Sequence, residues 1–366
     1  MKLGIDISQI VYKGSGVARY TEGIVSAILN YDTSNSWHFY FSSLRQQLDP
    51  KVKELIIQKG HKLHEYWIPP TFLSIWFNNL HAISKKLPPL YAIPRDLDWF
   101  ITSDWTEPHI NSKKVTIVHD LIFRKFPEML PKSILKTQSI RMKHVVDESD
   151  LIICVSDATA NDMQEEYRID PARLFVNYTG INPKKEPLSD IFQKYNLHKP
   201  FILTVGKLEP RKNIKRLIDA FKKAETTAQL VIVGAEGWGE SVNPVSNDDI
   251  RFLGYVSDED LAALYAHALF FVYPSLYEGF GYPILEAMKY GCPVATSNTS
   301  SMKEIAEGNA LLFSPEKTDE IAASIEELFN NEPLRAELKA KGLAHASSFT
   351  WERYYNKLIT ELERRK

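Results

Sequence analysis

Two glutamates on either side of a glycine-containing turn are the residues of this sequence best spaced for chemistry. Glu278 and Glu286 stand eight positions apart, with Gly279, Gly281 and Pro283 between them. Such a turn, between a strand and a helix, leaves backbone N–H groups free at the C-terminal edge of a parallel sheet, where they can hold a phosphate. Glu278 can accept hydrogen bonds from sugar hydroxyls and Glu286 from ribose hydroxyls. The alternative is a loop with solvated glutamates, which the glycines and the flanking elements disfavour.

A basic segment follows another predicted strand. Lys207, Arg211 and Lys212 lie between the strand Phe201–Val205 and the helical pattern Asn213–Lys223. Cations at the edge of a sheet can bind a diphosphate through charge-assisted hydrogen bonds. Taken alone, the segment is more typical of a turn with exposed cations.

The glycines after the first strand resemble a dinucleotide fingerprint only in part. Gly14 and Gly16 give the G-x-G, but Arg19 occupies the place of the third glycine, and residues 39–44 end in no acidic residue. That fingerprint needs the third glycine for close helix packing and the acid for the ribose. An NAD-dependent oxidoreductase therefore remains only a less favoured alternative.

Two further strand ends carry polar side chains. His119 and Asp120 follow the predicted strand Val115–Val118, and Ser156 follows the strand Leu151–Val155. A histidine at the C-terminal end of a parallel strand points toward the ligand-binding edge, although a satisfied structural histidine is the alternative. Ser156 is predicted to cap the next helix.

The stretch Tyr277–Ala295, YEGFGYPILEAMKYGCPVA, resembles the signature of the retaining glycosyltransferase family four. Ser297–Glu304 and Ala310–Pro315 are similar to it too, and the resemblance covers nearly the whole chain. It implies the GT-B fold, an α/β architecture of two Rossmann-like parallel-sheet domains facing across a cleft. It also implies transfer of a hexose from a nucleoside-diphosphate sugar to a glycan or lipid-linked acceptor, with GDP-mannose the first expectation and UDP-hexoses next. A nucleotide-sugar epimerase of the same fold is the alternative.

The resemblance also implies roles for individual residues. Donor binding is expected from Gly16, Lys207, Arg211, Lys212, Tyr255, Val256, Gly279, Phe280, Gly281 and Glu286. His119 and Glu278 are expected to be catalytic, with Glu278 positioning the sugar instead of attacking it. Arg19, Asp120 and Ser156 are expected on the acceptor side. Lys207 stands where many members have arginine, so it keeps the charge but loses the two-pronged contact.

We expect no metal and no cofactor other than the sugar-nucleotide co-substrate. Asp258 and Asp260 form a D-x-D pattern, which binds metal and diphosphate in the other large glycosyltransferase fold. Ser257, three residues before Asp260, instead indicates a helix N-terminus. The similar pair Asp96 and Asp98 is discounted as well.

Strands and helices alternate almost from end to end, as in parallel sheets covered by helices. Prolines and charged residues in Asn182–Pro200 place the domain boundary there. We expect an N-terminal acceptor domain of residues 1–183 and a C-terminal donor domain of residues 184–350. The resemblance implies that the final helix, about residues 351–366, packs back on the first domain.

Composition limits the classes of partner. The 366 residues carry a net charge of −2, which gives no electrostatic case for nucleic acid. The two distant cysteines suggest neither a disulfide framework nor a zinc site. With no signal peptide and no membrane-spanning run, a cytoplasmic protein is expected. Phe72 and Trp76, near Lys85 and a basic helix pattern at residues 132–143, leave peripheral membrane contact open; core packing with a solvated helix face is the alternative.

Overall fold

The computed structural model describes residues 1–12, 14–86, 90–91, 93–182, 185, 190–239 and 246–366. These residues form two compact units. Unit 1 comprises Met1–Lys125, Lys132–Gly180 and Thr350–Lys366; unit 2 comprises Phe126–Pro131 and Ile181–Phe349. The chain therefore changes unit for the short segment Phe126–Pro131, again at Gly180–Ile181, and returns to unit 1 at Thr350. Pro183 and Pro187, which helped to place the expected boundary, lie outside the described residues.

Unit 1 is built on a sheet of seven parallel strands in the order β3-β2-β1-β4-β5-β6-β7. Its strands are β1 Lys2–Asp6, β2 Ser36–Ser42, β3 Lys62–Tyr66, β4 Trp99–Ile101, β5 Lys113–Val118, β6 Leu151–Cys154 and β7 Leu174–Val176. The edge strands β3 and β7 are only partly buried. Strand β3, KLHEY, lacks the apolar run of a central strand, whereas β7, LFV, is apolar but only three residues long. The sequence predicted neither strand.

Among the described residues before the domain boundary, unit 1 has seven α-helices. They are α1 Gly16–Tyr31, α2 Pro50–Gln58, α3 Pro70–Ser74, α4 His81–Ser84, α5 Ile122–Lys125, α6 Lys132–Glu148 and α7 Asp157–Tyr167. Helix α1 begins at a cap, because Ser15 Oγ accepts a hydrogen bond from the Ala18 amide at 3.1 Å. Its apolar positions recur every three or four residues and bury Tyr20, Ile24 and Ile28 against the sheet.

Unit 2 is built on six parallel strands in the order β10-β9-β8-β11-β12-β13. They are β8 Phe201–Val205, β9 Gln229–Val233, β10 Ile250–Gly254, β11 Phe270–Tyr273, β12 Val294–Ser297 and β13 Leu311–Phe313. The helices are α8 Ile191–Tyr195, α9 Ile214–Lys223, α10 Asp258–His267, α11 Tyr282–Lys289, α12 Ser300–Ala306, α13 Thr318–Asn330 and α14 Glu332–Ala346. An apolar core between one face of the sheet and the helices α9 and α13 holds the unit together.

Each sheet reverses its strand order beside its first strand, between β1 and β4 in unit 1 and between β8 and β11 in unit 2. In such open sheets, ligands bind at the carboxyl ends of the strands on either side of this switch point. The prediction of two Rossmann-like parallel-sheet domains is confirmed, and each sheet has one preferred ligand edge.

The last helix, α15 Trp351–Arg364, belongs to unit 1. It packs on α1, where a Cβ atom at Gly23 would lie 1.9 Å from carbons of the Trp351 ring. Only a glycine lets these two helices approach so closely. The indole of Trp99, on β4, also donates a hydrogen bond to the Leu362 carbonyl at 3.2 Å.

No helix within the described ranges is both long enough and apolar enough to cross a lipid bilayer.

Candidate functional site

The turn between β11 and α11 carries the first glutamate of the predicted pair. Residues 278–281 are buried, and Gly281 has a φ of 99° at the cap of α11. Since L side chains rarely adopt that conformation, the turn requires glycine there. Ser300 and Ser301 Oγ donate to the Glu278 carbonyl at 2.6 and 2.9 Å, which fixes the turn against α12.

Glu278 accepts hydrogen bonds from three side chains. Lys212 Nζ donates to Glu278 Oε1 at 2.6 Å and to Tyr273 Oη at 2.6 Å. Tyr273 Oη donates to the same Oε1 at 2.9 Å. Arg211 Nη1 lies 2.6 Å from Oε2. Tyr273, Lys212 and Glu278 are buried. We call these four residues the Glu278 cluster.

Electrostatics fix the charges of the cluster. Burial opposes ionisation, but the charges of Arg211 and Lys212 lower the pKa of Glu278 to about 2. Burial and the charge of Arg211 lower the pKa of Lys212, against the pull of Glu278. Burial raises the pKa of Tyr273 well above its ordinary value, so its hydroxyl keeps its proton. At neutral pH, Glu278 is therefore a carboxylate with three donors and Tyr273 is a neutral hydrogen-bond bridge.

Local backbone geometry places Lys212 and Arg211 in this cluster. A 3-10 turn, Pro210–Lys212, follows β8, and Asn213 after it adopts a left-handed φ of 59°. Asn213 Nδ2 donates to the Pro274 and Pro315 carbonyls at 3.1 and 2.8 Å. This amide joins the end of β8 to the end of β11, across the switch point.

A close backbone contact supports the same edge of the sheet. Gly234 follows β9, and a Cβ atom there would lie 2.0 Å from the Gly206 carbonyl oxygen. Leu208 N, farther along, donates to the Ala235 carbonyl at 3.1 Å. The loop that carries the basic segment therefore lies directly on the backbone after β9.

The other predicted donor residues are more dispersed. Lys207 is exposed, and Tyr255 is 70% exposed beyond β10, whereas Val256 is buried. Glu286 lies half-buried on α11, and its Oε2 accepts a hydrogen bond from Tyr265 Oη at 3.3 Å. The structure thus brings Arg211, Lys212 and residues 278–281 together at the switch point of unit 2.

His119 follows β5 in unit 1 and is half-buried. Its ring contacts the edge of the Tyr20 ring, with centroids 4.8 Å apart. Burial lowers the pKa of His119 to about 4, so the imidazole is neutral at neutral pH. Asp120 Oδ1 accepts from the Ile122 amide at 3.1 Å and so shapes the turn into α5.

The remaining residues predicted in unit 1 lie near helix starts. Gly16 is the first residue of α1 and is exposed, and Arg19 is half-buried one turn later. Ser156 Oγ accepts from the Thr159 amide at 3.0 Å, which confirms the predicted cap of α7. Their roles toward a ligand stay predictions.

A pocket opens at the switch point of unit 1. Among the residues that line it are Asp6, Gln9, Tyr20, Thr21, Thr102, Ser103, Asp104 and His119. The sequence analysis found His119 but neither aspartate. Asp6 ends β1 and Asp104 follows β4, so the signal was an acidic side chain at the end of a strand beside the switch point.

Two groups of side chains have residue types that can bind a metal ion. Ser257 Oγ accepts from the Asp260 amide at 3.1 Å, and Asp260 Oδ2 accepts from Lys194 Nζ at 2.5 Å, so Asp260 is a buried, paired residue at a helix start, as expected from its sequence. His81, His144 and Glu148 form a group whose ligand atoms lie within 4.8 Å of one another. Lys85 and Lys114 already donate to Glu148 at 2.6 and 3.0 Å, and these cations would repel a metal ion.

Comparison with known proteins agrees with this architecture. Residues 189–345 match the family described as "Glycosyl transferases group 1", and residues 63–185 match "Glycosyltransferase Family 4". O-antigen chain mannosyltransferase B of Escherichia coli is 35% identical over 261 residues, which cover 67% of this chain and 68% of that protein. O-antigen chain mannosyltransferase RfbU of Salmonella typhimurium is 29% identical over 308 residues, 76% of this chain and 81% of that protein.

A solved structure has the same fold. Sucrose-phosphate synthase from Thermosynechococcus elongatus superposes with a TM-score of 0.74, covers 100% of both chains and is 17% identical. At that identity the likeness shows the fold, which is GT-B. Neither an epimerase nor an NAD-dependent oxidoreductase is favoured by these matches. Because the mannosyltransferase from Escherichia coli and this chain share sequence over two thirds of both proteins, the chain belongs to glycosyltransferase family four and is a glycosyltransferase.

Proposed function

We propose that this glycosyltransferase moves a mannosyl group from GDP-mannose to a growing cell-surface glycan, with retention of configuration at the sugar. One observation carries the donor assignment: Arg211 and Lys212 converge with Glu278 at the switch point of unit 2. The choice of mannose and of a surface glycan rests on the two relatives named as O-antigen mannosyltransferases.

The Glu278 cluster prepares the donor site. Lys212 and Arg211 turn from Glu278 toward the diphosphate, which is also held by the amides after Glu278 at the start of α11. Glu278, released from part of its pairing, accepts hydrogen bonds from the sugar hydroxyls. Glu286 accepts from the ribose, and the backbone near Tyr255 and Val256 contacts the base. Lys207 adds charge at the rim.

The reaction replaces the bond between the sugar and the diphosphate with a glycosidic bond to the acceptor. The bond from the anomeric carbon to the diphosphate oxygen breaks, and the acceptor oxygen attacks from the same face. The acceptor proton passes to the departing diphosphate, which leaves as GDP. His119 is neutral at neutral pH, so it hydrogen-bonds the transferred sugar without adding charge. Three donors hold Glu278. Glu278 therefore positions the sugar and does not attack it covalently.

The first experiment tests donor use. Purified protein is incubated with a panel of nucleotide sugars, and release of nucleoside diphosphate is measured with and without mannosides as acceptors. Lys212→Ala and Glu286→Ala should each reduce transfer by at least about a hundredfold, since each removes a donor contact made in the transition state. Lys215→Ala, at an exposed position on α9, is the control. Near-normal transfer by both variants, with folding intact, would contradict the proposal.

The same assay separates the alternatives. An epimerase would convert the nucleotide sugar without an acceptor and release no diphosphate. A non-catalytic binding module would bind the nucleotide sugar and leave it intact.

We further propose that unit 1 docks on a membrane that carries the acceptor. The support is an apolar surface around α3 and α4, where Trp67 is 73% exposed and Phe72, Ile75 and Ile83 are also exposed. Lys85 is exposed nearby. Aromatic and aliphatic side chains beside a cation suit an anionic bilayer surface. Leu73 and Phe77, between them, pack into the core instead.

A sedimentation assay tests the membrane proposal. The protein should sediment with anionic liposomes at low salt, and Trp67→Ser with Phe72→Ser should abolish this while transfer to a soluble acceptor persists. Failure of the unaltered protein to sediment would end the proposal.

A further inference from the structure

Glu209 is a buried carboxylate directly before the turn that carries Arg211 and Lys212. It is 5% exposed. Its backbone begins that turn, because the Lys212 amide donates to the Glu209 carbonyl at 3.0 Å. A carboxylate buried this deeply needs a partner, and the side chain of Arg211 provides one.

Arg211 lies between two carboxylates and uses a different nitrogen for each. Its Nε donates to Glu209 Oε2 at 3.1 Å, and its Nη1 lies 2.6 Å from Glu278 Oε2. Nη1 also donates to the Tyr277 carbonyl at 3.4 Å. Because the guanidinium is planar and its N–H groups have fixed directions, the contact at Nε restricts where the Nη groups can point.

Packing fixes the side chain of Glu209 as well. A Cβ atom at Gly237, in the loop after β9, would lie 2.7 Å from Glu209 Cγ and 2.7 Å from the Leu208 carbonyl oxygen. These distances are shorter than van der Waals contact, so Glu209 occupies the space that a side chain at position 237 would need. The carboxylate therefore has a defined place from which to hold Arg211.

The charge of Glu209 has the wrong sign for a donor site. Glu209 and Glu278 balance the charges of Arg211 and Lys212, and a carboxylate next to these cations repels a diphosphate. The repulsion is weakly screened at a buried position. If Glu209 assists donor binding, the assistance must therefore come through Arg211.

We propose that Glu209 is a positioning residue for the donor. It holds Nε of Arg211, so that the Nη groups exchange Glu278 for the diphosphate while the guanidinium keeps its place. Glu209 stays paired throughout this exchange, and Glu278 is released to the sugar. The inference rests on the proposed donor site and adds to it a residue that acts through Arg211.

Gln and Ala variants separate the contact from the charge. GDP and UDP are each titrated into the full chain by calorimetry. Glu209→Ala should weaken their binding by about tenfold or more, because the hydrogen bond that orients a charged group is lost. Glu209→Gln should stay within about threefold of the unaltered protein, since its amide oxygen can still accept from Nε. Repulsion by itself would make both variants bind more tightly.

A double-mutant cycle identifies Arg211 as the residue through which Glu209 acts. In an Arg211→Ala background, Glu209→Ala should leave binding unchanged or tighten it, because only the repulsion remains. Glu236→Ala is the control at an exposed carboxylate of the loop after β9. It should change affinity by less than about twofold, since exposed charges are screened. Thermal unfolding of each variant checks that the fold persists.

The outcomes separate this inference from the proposed function. Tighter binding by Glu209→Gln, a loss as large as that of the Ala variant, or an equal loss with and without Arg211 would overturn the inference. Mannosyl transfer by the unaltered protein could still stand. Absence of mannosyl transfer, with nucleotide binding still dependent on Glu209 through Arg211, would instead overturn the proposed function.

Discussion

The ring of Tyr20 meets the ring of His119 edge-on, with the planes 85° apart and the centroids separated by 4.8 Å. Tyr20 lies on α1, and its hydroxyl hydrogen-bonds that of Tyr354 on α15. Asn177 Nδ2 donates to the Tyr354 carbonyl at 3.0 Å and ties α15 to the segment after β7. His119 is therefore held in place by the last helix of the chain.

Tyr354→Phe tests this support. The change removes the hydrogen bond between the Tyr20 and Tyr354 hydroxyls, which should cost about 0.5–1.5 kcal/mol of unfolding free energy. It should also loosen the packing against His119 and so raise its pKa from about 4 toward the ordinary value, as NMR titration would show.

Tyr355→Phe is the matched control for this experiment. Tyr355 is the next residue of α15, and its hydroxyl hydrogen-bonds Asp32. Loss of this hydrogen bond should destabilise the protein to a similar extent without changing the pKa of His119. An identical His119 titration in all three proteins would show that the helix does not support the histidine.

Tyr273→Phe tests the bridge in the Glu278 cluster. Phenylalanine keeps the buried ring, but it removes the oxygen that accepts from Lys212 and donates to Glu278. Hydrogen bonds to charged groups contribute about 1.5–3 kcal/mol, so donor affinity should fall by about tenfold or more. Nucleoside-diphosphate binding measures the loss. Tyr167→Phe, on α7 of unit 1, is the control. Unaltered donor binding by Tyr273→Phe would show that Tyr273 does not contribute to the donor site.

Acid should destabilise the protein partly through His119. Its folded pKa, about 4, lies below the ordinary value of 6.5. The unfolded chain therefore binds this proton first, and stability that is fully present above pH 6.5 is lost as the pH falls toward 4. His119→Asn should flatten the dependence of unfolding free energy on pH in this window by up to about 1.4 kcal/mol per pH unit. His267→Asn, at an exposed position, should not. If unfolding free energy changed equally with pH in the unaltered protein and in both variants, the pH dependence could not be assigned to His119.

Gly234→Ala should strain the donor edge of unit 2. The new Cβ would lie 2.0 Å from the Gly206 carbonyl oxygen. Such overpacking costs about 1–3 kcal/mol or more, in addition to about 1–2 kcal/mol of backbone strain at the φ of 154°. Donor binding should weaken as well, because the backbone before Lys207 must move. Gly254→Ala is the control: its φ of 66° is also left-handed, but nothing lies within 4 Å, so only about 1–2 kcal/mol of backbone strain is expected. Chemical denaturation measures the unfolding free energy of both variants. Similar losses in the two would show that the contact with Gly206 has no effect on stability.

Local patterns were enough for much of the fold. The alternation of strands and helices predicted two parallel sheets, and Ser156 and Ser257 predicted helix starts that the structure contains. The sequence also predicted the turn at Gly281, because a positive φ and a helix cap depend only on neighbouring residues. The edge strand β3 was not predicted because its sequence, KLHEY, has little apolar periodicity. Strand β7 was not predicted because three apolar residues are too few to show a period.

The sequence by itself determined the fold class, the family resemblance and the basic and acidic segments of the donor edge. Only the tertiary structure decided that Arg211 and Lys212, each more than sixty positions away in the sequence, pair directly with Glu278. It likewise brought Asp6 and Asp104 to one pocket and placed Tyr354 behind Tyr20. Contacts between distant segments leave no local signal, because strand order and burial set them.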